Sequence, residues 1–117
     1  MSVKITCLQL DIAFGNPTKN RKYIEQKMTE ALKENPDILV LPELWDTAYD
    51  LTRLDEIADD EGQQAKQLIS QFAKTNEVNI VAGSIAKKQS KASRIRCIFL
   101  TEKVVKYQNT VNCTYLN

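Results

Sequence analysis

At 117 residues, with 43 % hydrophobic and 26 % charged side chains, the chain has the size and composition of one globular domain. A net charge of +1, with the lysines spread along the chain, argues against a nucleic-acid or anionic-membrane surface. No apolar run approaches the length of a membrane span, and the opening MSVKITCLQLDIAF lacks the apolar core and cleavage site of a secretory leader. The expectation is therefore a cytoplasmic protein with no membrane or nucleic-acid partner.

The first strand candidate is Val3 to Leu10. Val3, Ile5 and Cys7 alternate with Lys4 and Thr6, and the phase then slips onto Leu8 and Leu10. That mixture predicts a strand whose second half is covered on both faces. Gly15-Asn16-Pro17 is a turn signal. Ile24, Met28, Ala31 and Leu32 then fall at i, i+4, i+7 and i+8, which predicts an amphipathic helix from about Thr18 to Glu34. Asn35-Pro36-Asp37 closes it. Ile38 to Leu41 is a short apolar run, the pattern of a strand buried on both faces. Pro42 stops the strand, and a loop is expected to about Leu54.

A second helix is predicted from about Gly62 to Asn76, with a stripe of Ala65, Leu68, Ile69, Phe72 and Ala73. Asn79 to Ile85 reads as the next strand. The order strand, helix, strand, loop, helix, strand predicts an α/β layer with right-handed crossovers. After about Ala86 the texture changes. KKQSKASRIR is basic and poor in apolar residues, and CIFLTEKVVKYQNTVNCTYLN shows weak strand patterns without clear turn chemistry.

Candidate chemistry is narrowed by what is absent. The chain has no histidine, the commonest general base and metal ligand. Catalysis would have to run on carboxylate, lysine or thiol, and no metal site or cofactor is expected. Cys7, Cys97 and Cys113 are odd in number and widely spaced, which argues against a disulfide framework. A reactive thiol needs an electropositive, partly exposed setting, and none of the three is expected to be reactive. The acidic run Asp55, Glu56, Asp59, Asp60, Glu61 reads as a solvated loop. Trp45 and Tyr49 are aromatics of the kind that more often pack than touch substrate.

The segment with chemical content is DILVLPELWDTAYDL, Asp37 to Leu51. A buried strand ends at Pro42 and Glu43 follows at once. In α/β sheets, functional groups gather beyond the carboxyl ends of strands. A carboxylate there, beside Leu44 and Trp45, is expected to be partly desolvated, as a general base requires. Taken alone, a Pro-Glu pair at a strand end is more often a cap or a solvated surface group.

LPELWDTAYDL closely resembles the first signature of the nitrilase superfamily, in which the glutamate after the proline is the catalytic base. CLQLDIAFGNPTKN resembles that family's first strand and the turn into its first helix. NEVNIVAGSIA resembles the strand that reaches its G-S segment. Together these cover residues 1 to about 86 in order, and the likeness is nearest to the bacterial omega-amidase-like branch. The resemblance implies the N-terminal portion of a four-layer α-β-β-α sandwich, usually dimeric, acting on a small amide. It also implies a Glu-Lys-Cys triad. The cysteine thiolate attacks the amide carbon, the glutamate is the base, and the lysine stabilises the tetrahedral charge. Only the glutamate carries over, onto Glu43. The family's lysine lies in a K-x-H-L-like segment, which this chain lacks; Lys103 and Lys106 have other surroundings. None of the three cysteines sits in the family's C-Y-D-x-R-like motif. The expectation is a truncated hydrolase, cut off before its cysteine and inactive alone.

The segment after residue 86 has a further property. Codons for Arg94 to Asn117, read from each third base with favourable synonyms, allow NTMYIFNRKGGEVSKYSKLHLFK. That string resembles the family's next hairpin and lysine segment. Some positions are nearly forced: the Asn112–Cys113 junction can give only leucine, and Cys113–Thr114 only histidine or tyrosine. The expectation is a one-base slip between about Ile85 and Arg94, with residues 87–117 out of frame and poorly ordered, since such residues were never selected to pack. The alternative is a small α/β binding or dimerisation module without catalysis, using Glu43 to Leu54 as a ligand loop.

Overall fold

The computed structural model describes residues 3–60, 62–89 and 92–100. In chain order these form β1 (Ile5–Cys7), α1 (Pro17–Ala31), β2 (Ile38–Val40), α2 (Leu54–Ile57), β3 (Asp59–Asp60), α3 (Gln63–Asn76), β4 (Asn79–Gln89) and β5 (Ala92–Leu100). Short 3₁₀ turns follow α1 at Leu32–Glu34 and precede α2 at Leu51–Arg53.

Helix α1 starts where the turn signal placed it. Pro17 occupies the first turn, where its missing N–H costs nothing. Asn16 Oδ1 accepts a hydrogen bond from the Lys19 amide at 3.1 Å, satisfying one of the free donors of the helix start. Asn35 ends the following turn in the left-handed region, φ 52°, before Pro36. Ile24, Met28 and Ala31 are buried as the periodicity predicts, and Leu32 is half-buried against the same core. In α3, Ala65, Ile69, Phe72 and Ala73 are buried and Leu68 is half-buried.

Strands β1, β2 and β4 run parallel, with Ile5 beside Ile38 and Ile38 beside Asn79. This is the expected α/β layer. Leu39 and Ile80 are register partners, fully buried among the stripes of α1 and α3. Their sequence neighbours point to the other face. There Ile38, Val40 and Val81 are only half-buried, and Ile5 is 56 % exposed. The expectation that β2 is covered on both faces is thus corrected. Both helices sit on one face, and among the described residues no second layer closes the other. The second half of the first strand segment fares similarly: Leu8 and Leu10 are half-buried, and Gln9 is exposed.

Two further departures concern the later elements. Asp59 is not solvated. It is 2 % exposed, and its carboxylate accepts from the Gln64 amide at 3.2 Å and the Ala65 amide at 2.7 Å. A negative group at a helix start satisfies free donors and complements the helix dipole. Asp55 and Glu56 are exposed, as expected. Replacing Asp59 with alanine should lower stability by about 1–2 kcal/mol, read as a shift in the thermal midpoint; an unchanged midpoint would show that water caps the helix equally well.

Strand β4 runs past Ala86, where regular structure was expected to end, to Gln89. It pairs antiparallel with β5, from Ile80–Leu100 to Gln89–Ala92, with a register shift between Val81 and Ser84. Residues 87–89 and 92–100 are therefore strand. A ladder is built from backbone groups, and RIRCIFL is rich in side chains that suit a pleated surface. The remainder of that segment lies outside the described residues.

Candidate active site

The loop after β2 is fastened to β4 at successive points. The Leu41 amide donates to the Val81 carbonyl at 2.8 Å, continuing the sheet. Gly83, at φ 60°, passes so close to Pro42 that a Cβ there would overlap the Pro42 carbonyl. Only glycine adopts that conformation at that approach without strain. The Leu44 amide donates to Ser84 Oγ at 3.1 Å, and Trp45 Nε1 donates to the Ala82 carbonyl at 2.8 Å. The Ala86 amide faces Asp46 Oδ1 at 3.4 Å. The G-S segment therefore acts as the dock for the loop.

A second set of contacts ties the same loop to the start of α1. Asn20 is fully buried. Its Oδ1 accepts from the Ala13 amide at 2.8 Å, and its Nδ2 donates to the carbonyls of Ala13 at 2.7 Å and Asp46 at 2.8 Å. The Gly15 amide donates to the Thr47 carbonyl at 2.9 Å. Arg53 donates to Asp50 Oδ2 at 3.0 Å and to the Gly15 carbonyl at 2.9 Å. Nothing in the helical pattern singled out Asn20. Its position three residues after proline, on the buried stripe with Ile24, was the available signal.

Glu43 stands where the sequence placed it, directly after Pro42 at the carboxyl end of β2. The expected desolvation is corrected. Glu43 is exposed, while Leu44 and Trp45 turn inward and are fully buried. Leu44 has φ 47°, a left-handed conformation that points its side chain into the core instead of over the carboxylate. Trp45 is packing, as read. Tyr49 is not: it is 56 % exposed, and its hydroxyl donates to Glu43 Oε2 at 2.6 Å. The distance is in the range of charge-assisted O–H···O⁻ bonds.

The sequence reading missed Asp46. It lies inside the signature yet is fully buried, and its Oδ2 has no hydrogen-bond partner among the described residues. Burial pushes its carboxyl up to about 7 from 3.8, aided by the charge of Asp59 and opposed by the Ala86 amide and Arg21. Cys7 is exposed on β1, away from any disulfide; the side chains of Cys97 and Cys113 lie outside the described residues. Among the described residues no group of three or more His, Cys, Asp or Glu could hold a metal ion, and no helix is long and apolar enough to cross a membrane.

Comparisons with known proteins place this arrangement in a family. The chain matches the carbon-nitrogen hydrolase family over residues 4–112. It is 48 % identical over 86 residues to the 2-oxoglutaramate amidase of Bacillus subtilis (strain 168), covering 74 % of this chain and 33 % of that protein. Its fold is similar to that of XC1258 from Xanthomonas campestris, a CN-hydrolase superfamily protein, with a TM-score of 0.77, 22 % identity and coverage of 91 % of this chain and 38 % of that one. It is also similar to Saccharomyces cerevisiae Nit3, a member of branch 10 of the nitrilase superfamily, with a TM-score of 0.76, 20 % identity and coverage of 94 % and 44 %. The chain spans about a third of the length of the curated relatives it matches. Its fold is the N-terminal portion of the nitrilase sandwich, and the chain belongs to the carbon-nitrogen hydrolase family.

Proposed function

We propose that this chain is the base-bearing portion of an amidase that hydrolyses the C–N bond of a small amide, and that these 117 residues alone do not turn substrate over. The observation that supports the reading most is Glu43. It is a solvent-accessible carboxylate at the carboxyl end of β2, held on a loop docked to β4 and contacted by a tyrosine hydroxyl. A general base must reach the proton that it removes, and an accessible, fixed carboxylate meets that geometric condition. The likeness to a 2-oxoglutaramate amidase supports a small ω-amide as substrate class. In the intact enzyme, Glu43 would take the proton from the cysteine thiol and later activate water against the thioester, with a lysine stabilising the oxyanion. No metal or cofactor is needed for these steps. A homodimer in the cytoplasm is the proposed form of the intact enzyme.

The lysine and cysteine are proposed to lie in the displaced frame downstream of Ile85 to Arg94. That proposal rests on the codon argument. Strand β5 lies within that segment, residues 87–117, and the family match runs through it as far as residue 112.

The test is ammonia release from a small ω-amide. The purified 117-residue chain should release none above background. The chain continued in the alternative frame should release ammonia, and Glu43→Gln in that form should lower kcat/KM by about 10²–10⁴-fold, the usual contribution of a general base. Its thermal midpoint should not move, because Glu43 is exposed. Near-normal turnover in the Gln variant would show that the base is another residue.

A further inference from the structure

We infer that Tyr49 is a positioning residue for Glu43, a role that rests on the reading of Glu43 as the base. Burial gives Tyr49 little reason to be there. Its ring is 56 % exposed, and it is absent from the core formed by Trp45, Ile24, Leu39 and Ile80. Its hydroxyl donates a 2.6 Å hydrogen bond to Glu43 Oε2.

The backbone between the two residues is shaped to deliver that contact. Leu44 and Ala48, neither of them glycine, take φ 47° and 55°. Non-glycine residues rarely adopt this region, and they persist there only where surrounding contacts impose it. Those contacts are present. The Ala48 amide donates to the Leu44 carbonyl at 2.8 Å, closing the turn. Leu44 and Trp45 are sunk in the core, and Thr47 is buried with its carbonyl taken by Gly15. The two left-handed residues fold the chain back so that position 49 meets position 43. A regular helix or an extended segment would carry Tyr49 past it. A side chain locked by its surroundings can in turn fix a catalytic group within the narrow tolerance that chemistry needs.

The role has consequences that a surface tyrosine lacks. The hydroxyl restrains the rotamer of the carboxylate through Oε2.

The experiment is Tyr49→Phe in the chain continued in the alternative frame, assayed for ammonia release over a range of pH. We expect kcat to fall at least about tenfold with KM within about twofold, the pattern of an interaction realised in the transition state. The thermal midpoint should stay unchanged. In the double variant with Glu43→Gln, the phenylalanine should add no further loss, since Tyr49 acts through Glu43. Wild-type kcat in Tyr49→Phe, or a loss that multiplies with that of Glu43→Gln, overturns the role while leaving Glu43 as base. Retained activity in Glu43→Gln overturns the reading on which both stand.

Discussion

Asp46→Asn should remove a loss of stability that burial of this carboxyl imposes on the native chain as pH rises from about 4 to about 7. The carboxyl of Asp46 is pushed up to about 7 in the folded chain, above the 3.8 of an unperturbed aspartate, chiefly because it is buried. The sign follows from linkage. Between those two values the folded state holds a proton that the unfolded state has released, so each rise in pH favours unfolding. The contribution is fully present below about 3.8, is lost as pH rises to about 7, and does not change above that. The span corresponds to on the order of 4 kcal/mol. Asparagine cannot ionise, so this slope disappears. Its amide offers Ala86 an acceptor like the one present now. Its N–H₂ would occupy the place of Oδ2, which has no partner among the described residues, and so presents two unsatisfied donors where the protonated carboxyl presents one, each costing about 1–3 kcal/mol. The variant should therefore be less stable than wild type near pH 4 and more stable near pH 8. Chemical unfolding at both pH values checks this. Parallel pH curves for the two proteins would mean that Asp46 is ionised and paired in solution.

Trp45→Ala should abolish cooperative folding. The indole is fully buried, the largest such side chain in the core, and lies where β2, β4 and both long helices converge. Emptying such a site costs about 3–5 kcal/mol for Trp→Ala. The Ala82 carbonyl also loses its donor, Nε1 at 2.8 Å. A single small domain has only about 5–15 kcal/mol in total. Near-ultraviolet circular dichroism and a thermal melt would read the outcome. Trp45→Phe keeps most of the packing and loses the hydrogen bond, so it should fold with a lowered midpoint. A Trp45→Ala chain that melts sharply near the wild-type temperature would show that the core closes without the indole.

Sequence periodicity was informative where side chains alternate between one packed and one open environment. The stripes Ile24–Met28–Ala31 and Ala65–Ile69–Phe72–Ala73 are buried as spaced. Gly15-Asn16-Pro17 and Asn35-Pro36 mark turn and cap because their backbone preferences are local. Burial on both faces of β2 was misread from Ile38-Leu39-Val40-Leu41, since a continuous apolar run does not say whether a second layer is present. Asp59 was misread, and Asp46 was not singled out, for a related reason. Asp59 and Asp46 look like solvated acids in one dimension, yet one caps α3 and the other faces the Ala86 amide. Asn20 is silent in the pattern because its three partners come from Ala13 and Asp46, across a fold that periodicity does not describe. Glu43 was placed correctly at its strand end, and its exposure was not foreseen. The left-handed turn at Leu44 that buries its neighbours has no glycine to announce it. The same turn brings Tyr49 back to the carboxylate.

The gene itself offers the most direct test of the central claim, that this chain is the upstream part of an amidase whose remaining residues lie one base out of frame. The measurement is the DNA sequence from the codon for Ile85 through several hundred bases beyond that for Asn117. A single extra or missing base is expected between the codons for about Ile85 and Arg94, with the alternative frame running on through a lysine–histidine–leucine segment to a cysteine motif. An intact frame with no such segment downstream would contradict it. The loop from Glu43 to Leu54 would then be the ligand site of a small non-catalytic module.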